Sequence, residues 1–109
     1  MSSSDKNLSM FEGSEIPSAK GYKIAIVYSE WNNEITTELT LGAKQLLLKQ
    51  GINASDLIIH TVPGSFELTL GSQFMLSSDT SVDAVIALGV VIQGETKHFD
   101  FICQAVAQG

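Results

Sequence analysis

Three apolar runs constrain this chain more than anything else in it: YKIAIVY (residues 22–28), LIIHTV (57–62) and VDAVIALGVVI (82–92). None alternates apolar and polar residues as a strand with one wet face does. Runs apolar on both faces suit strands held between two helix layers, the setting of a parallel sheet. The segments between them carry the matching helical periodicity. SEWNNE supplies asparagine caps and an early acid, Ile35, Leu39, Ala43, Leu46 and Leu47 follow at helical spacing, and Gly51 takes the place just past the helix end. After Pro63-Gly64, residues 66–78 predict a second helix with Phe66, Leu70, Phe74 and Met75 on one face. A last helix begins at Thr96, with Phe99, Ile102, Cys103 and Val106 as its stripe. The order is β-α-β-α-β-α, an α/β sheet with helices on both faces.

Composition narrows the function. A length of 109 residues allows one domain, and 44% apolar against 17% charged residues places it among globular chains. Twelve acidic and six basic residues give a net charge of −6, without a lysine or arginine cluster, so nucleic acid and anionic membrane are poor partners. No apolar run reaches the roughly 18 residues of a membrane span. The single Cys103 has no internal disulfide partner, and residues 1–21 form a polar arm lacking signal or transit character. A cytoplasmic location is expected, with a short strand near residues 8–11 the arm's one structured candidate.

Right-handed crossovers leave the C-terminal strand ends on one edge, where sheets of this kind bind ligands. Trp31, the turn at 63–67 and the segment 93–98 each follow a strand end, so they are expected to meet there. Gly94-Glu95-Thr96 before a helix presents unpaired N–H groups at the positive dipole end, an anion site, although a capped helix start with nothing bound explains it too. His98 lies beside that nest and is a candidate for proton transfer; a surface histidine is the plain reading. Trp31 offers a stacking face or anchors the first helix. In Pro63-Gly64-Ser65-Phe66-Glu67 the acid is a ligand group or merely a dipole partner. His60 reads as a strand-core residue, Lys97 lacks an apolar pocket, and Cys103 is a small core residue. Two scattered histidines and one cysteine do not make a metal site.

Residues 22–109, with YSEWN, VPGSFEL and GVVIQGETKHFDFI in that order, resemble the lumazine synthase family. The resemblance implies a flavodoxin-like three-layer α/β/α fold on a four-stranded parallel sheet. It implies a transferase of riboflavin biosynthesis that condenses 5-amino-6-(D-ribitylamino)uracil with 3,4-dihydroxy-2-butanone 4-phosphate. The products are 6,7-dimethyl-8-ribityllumazine, phosphate and water, with no cofactor or metal. On the matching positions, Trp31 stacks on the pyrimidine. Ser65, Phe66 and Glu67 hold the ribityl-uracil, with Glu67 toward the ribityl hydroxyls. Val90, Val91 and Ile92 bound the same substrate, Glu95 and Thr96 match the phosphate site, and His98 is the proton-transfer residue. Gln93 stands where the family usually has Arg or Lys, and Thr69 where it commonly has proline.

The family continues with another strand and helices, and its sites lie between protomers of a pentamer, which stays single or builds an icosahedral shell. Eight of the nine residues 84–92 are apolar and the ninth is glycine, a hazardous composition for a bare sheet edge. The chain is therefore expected to be incomplete at its C-terminus, and the 109-residue piece alone to fold poorly, assemble badly and show little activity. Two other classes remain: a non-catalytic lumazine- or flavin-binding module, and a structural protein using the fold to form a shell.

Overall fold

The computed structural model describes residues 16–78, 81–94 and 97–109. Among them, strands β1 (Ile24–Ser29), β2 (Leu57–Val62) and β3 (Ala84–Leu88) form one parallel sheet in the order β2-β1-β3. Helices α1 (Asn33–Lys49), α2 (Leu68–Ser77) and α3 (His98–Gln108) alternate with them, and 3-10 turns occupy Ala54–Asp56 and Ser65–Glu67. This is the parallel α/β sheet that the two-faced apolar runs predict, in the flavodoxin-like arrangement that the resemblance implies. Ile24 lies level with Leu57 on one side and Ala84 on the other, so all three strands finish on the same edge.

Alternation along β1 divides the core between two layers. Ala25 and Val27 pack against Leu68 and Met75 of α2, with Ile58, Val62 and Val85 closing around them. Ile26, fully buried, points to the opposite face, which α1 covers. The arm joins this body before it reaches the sheet. Ala19 is buried and its N–H donates to the Gln50 carbonyl at the end of α1, 2.8 Å away. The candidate strand at 8–11 lies outside the described residues.

Several sequence expectations are corrected. On α1, Ile35, Leu39 and Leu46 are exposed, and Thr36 and Thr40 are the buried residues of the helix. Threonine is tolerated there because both hydroxyls are satisfied: Thr36 Oγ1 donates to the Ser29 carbonyl (2.7 Å) and Thr40 Oγ1 to the Thr36 carbonyl (2.8 Å). On α2, Leu68 and Met75 are buried while Leu70 and Phe74 face outward, as does Phe66 in the turn before it. His60 is exposed rather than a core residue, because β2 is an outer strand of this sheet. The third strand stops at Leu88 and does not run to residue 92, since β1 turns away after Ser29 and offers no further pairing partner.

Gly51 closes α1 as expected. At φ +102° it lets its own N–H reach the Leu48 carbonyl (3.1 Å) and the Ile52 N–H reach that of Leu47 (3.1 Å), the paired bonds of a Schellman end. The apolar stripe of α3 also holds, with Phe99, Ile102, Cys103 and Val106 half-buried. Among the described residues, no helix is long and apolar enough to cross a membrane.

Candidate active site

Beyond the strand ends lies a cavity of about 340 Å³. Each of the three exits contributes to its wall. Trp31 comes from the end of β1, residues 64–67 from the turn after β2, and Val90, Val91 and Ile92 from the segment after β3. His98, the first residue of α3, completes the ring. Trp31, Ser65, Phe66, Glu67, Val90, Val91, Ile92 and His98 are thus on this one wall; Gly94 of the expected anion nest does not line it, and Glu95 and Thr96 lie outside the described residues. Phe99 and Ile102 also line it. Sequence reasoning placed both only in a packing stripe; their spacing of three on the face shared with His98's end of the helix was the available signal.

The turn after β2 is built from its own hydrogen bonds. Glu67 Oε1 accepts the Gly64 N–H at 2.9 Å while the Glu67 N–H donates to the Gly64 carbonyl at 3.1 Å. One carboxylate oxygen is therefore engaged in shaping the turn. Phe66 projects from it with 59% of its surface exposed, an unusual state for a phenylalanine beside a core and suited to a ligand face.

Ser65 is buried, and its hydroxyl donates to the Val90 carbonyl at 2.9 Å, tying the turn to the segment after β3. That bond requires a very close approach. A Cβ on Gly89 would sit 2.6 Å from both Ser65 Oγ and Leu68 Cδ1, so glycine is what lets the chain pass. Past it, Val90 and Val91 are half-buried and Ile92 is 58% exposed at the cavity mouth.

Trp31 stands on the opposite side, 69% exposed, and its backbone N–H donates to the Pro63 carbonyl at 3.0 Å. The ordinary alternative, a buried anchor for α1, does not describe an indole this open. A larger cavity of about 600 Å³ lies between α2, the end of β3 and α3, and shares Ser65, Val90 and Val91 with the first. Its remaining wall is apolar or hydroxylic apart from the Gln73 amide and carries no titratable side chain, so the smaller cavity is the candidate for acid-base chemistry.

Among the described residues, no three His, Cys, Asp or Glu side chains gather as metal ligands would. The chemical means present are an indole and a phenyl face for a flat ring, a carboxylate and amides for polar substituents, and an imidazole at a helix N-terminus.

Comparison with known proteins agrees with this arrangement. The profile of the family described as 6,7-dimethyl-8-ribityllumazine synthase matches residues 21–109. A protein of that name from Cytophaga hutchinsonii is 56% identical over 109 residues, which is all of this chain and 67% of the relative. Its namesakes from Flavobacterium johnsoniae and Porphyromonas gingivalis are 50% and 45% identical over the same 109 residues, or 57% and 67% of their own lengths. The chain therefore spans between 57% and 67% of the length of these relatives. With the profile covering the whole sheet and every cavity-lining residue, this chain belongs to the 6,7-dimethyl-8-ribityllumazine synthase family.

Proposed function

We propose that the protein condenses 5-amino-6-(D-ribitylamino)uracil with 3,4-dihydroxy-2-butanone 4-phosphate, releasing 6,7-dimethyl-8-ribityllumazine, phosphate and water. The observation that carries this reading is the single cavity joining Trp31, the 64–67 turn, residues 90–92 and His98. The pyrimidine stacks on the Trp31 indole and meets the Phe66 side chain. The carboxylate oxygen of Glu67 left over from the turn accepts a ribityl hydroxyl. Ser65 contributes through its backbone, its hydroxyl being held by Val90. Val90, Val91 and Ile92 form the floor under the ring.

The phosphate sits at the start of α3, where helix amides and the dipole favour an anion, and Glu95 and Thr96 precede that helix in the sequence. His98 is the proton carrier. It takes a proton from the attacking amine as the imine forms, returns one to the departing water, and assists the proton shifts of phosphate loss and ring closure. Placing the imidazole beside the phosphate site serves both needs, because the leaving group gains charge while protons move next to it.

Assembly as a homo-oligomer is part of the same proposal. It is supported by the exposed apolar side chains on two helices, Leu39 and Leu46 of α1 and Leu70 and Phe74 of α2, which a second copy would cover. A cytoplasmic site of action suits the acidic charge and the lone thiol.

The test uses the full-length protein and its His98→Ala variant, following lumazine formation by its absorbance. Turnover is expected to fall about a hundredfold, within what a positioned acid-base group contributes, while affinity for 6,7-dimethyl-8-ribityllumazine stays within about threefold. Lumazine binding by the unaltered protein without turnover would make it a binding module. Neither binding nor turnover, with a large particle on sizing, would make it structural.

A further inference from the structure

Trp31 is 69% exposed and borders two concavities. One is the 340 Å³ cavity and the other a concavity of about 370 Å³ walled by residues 30–35. Neighbouring side chains therefore do little to hold it, and its place is set by the backbone. Two bonds fix the chain before the indole: the Glu30 N–H donates to the Val62 carbonyl (2.8 Å) and the Trp31 N–H to the Pro63 carbonyl (3.0 Å). Two more fix it after, because the Asn32 carbonyl accepts from the Ile35 (3.0 Å) and Thr36 (3.3 Å) amides that open α1. The joint between these anchored stretches is a single residue, Asn32, at φ 57° and ψ 50°.

That is the left-handed region, which L-residues other than asparagine and aspartate seldom enter. Asn32 is there although its side chain makes no capping bond to α1, and its Nδ2 is buried with no partner among the described residues. The cap expected from SEWNNE is therefore absent. A side chain that does not cap leaves the backbone conformation as what this asparagine supplies.

We infer that Asn32 is a positioning residue: its left-handed turn holds the Trp31 indole over the cavity. The inference rests on the proposed stacking role of Trp31 for its effect on binding, but the position of the indole is measurable without a ligand. A glycine reaches the same conformation freely, whereas a β-branched residue is driven out of it.

The experiment takes the full-length protein with Asn32→Gly, Asn32→Ala and Asn32→Val, each paired with a Trp31→Phe counterpart whose emission is subtracted. Solute quenching of the remaining indole signal reports its placement, and 6,7-dimethyl-8-ribityllumazine titration and turnover report its use. Asn32→Gly is expected to keep quenching and affinity within about threefold of the unaltered protein. Asn32→Val is expected to change the quenching and to weaken lumazine affinity about tenfold, with the loss in kcat/KM carried by KM. Asn32→Ala falls between, and decides the matter if the valine variant does not fold.

Valine and alanine variants indistinguishable from the unaltered protein would overturn the inference. So would a glycine variant as impaired as the valine one, since the amide side chain would then be what matters. If Trp31→Phe and Trp31→Ala leave lumazine affinity unchanged, or no lumazine binds at all, the proposed site is wrong, and the quenching comparison still decides whether Asn32 places the indole.

Discussion

Strands β1 and β3 are written in nearly the same alphabet, IAIVYS against AVIAL, yet they lead different lives. β1 is paired on both sides and largely buried, with Ala25, Ile26 and Val27 at 0–1% exposure. β3 is paired to β1 on one side and has no fully buried residue. The contrast continues past their ends. After β1 the chain is stitched to β2 by backbone bonds from Glu30 and Trp31, whereas after β3 the Ser65 hydroxyl grips the Val90 carbonyl. Apolar composition makes a strand, and its place in the sheet decides how much that strand stabilises. Within these 109 residues the central strand is the foundation of the sheet, and β3 leads into one wall of the candidate site.

The sharpest way to break this contrast is a matched pair of truncations. Ile26→Ala is expected to destabilise by about 2–5 kcal/mol in urea unfolding, as for a fully buried side chain. Ile86→Ala, half-buried at the level of Ile26 in β3, should lose less than half as much. Equal losses would mean that β3 is as deeply packed as β1 in the folded protein. Gly89→Ala comes next, at about 1–3 kcal/mol, because its methyl group would collide with Leu68 Cδ1 and Ser65 Oγ. A larger loss of turnover than of stability would show that the passage after β3 serves the site first.

The smallest effects come from two serines. Ser65→Ala removes the hydroxyl bonded to Val90 and is expected to lose about 0.5–1.5 kcal/mol. Ser29→Ala removes a buried hydroxyl with no partner among the described residues, so thermal unfolding should be unchanged or shifted slightly upward. If Ser29→Ala proves the more damaging, the Ser29 hydroxyl is hydrogen-bonded in the folded protein.

Much of the site was legible because its parts follow strands. Runs apolar on both faces announce a parallel sheet, a parallel sheet gathers its strand exits, and the residues after those exits then share a cavity. Trp31, Phe66 and His98 were found by that logic alone. Burial on α1 was less legible. Leucine and isoleucine at helical spacing predicted the inner face, but the helix lies on the sheet through Thr36 and Thr40, whose hydroxyls find carbonyls locally. Asn32 was misread for a related reason: in sequence a capping asparagine and a left-handed one look alike, and only the backbone angles distinguish them.

By itself the sequence determined the class of fold, the order of its elements, and which strand exits line the candidate site, since these follow from local periodicity and from short motifs. Tertiary structure decided which apolar residues are buried, where β3 stops, and how the Trp31 indole is held. Those outcomes depend on what another part of the chain places opposite each residue, and no local pattern contains that.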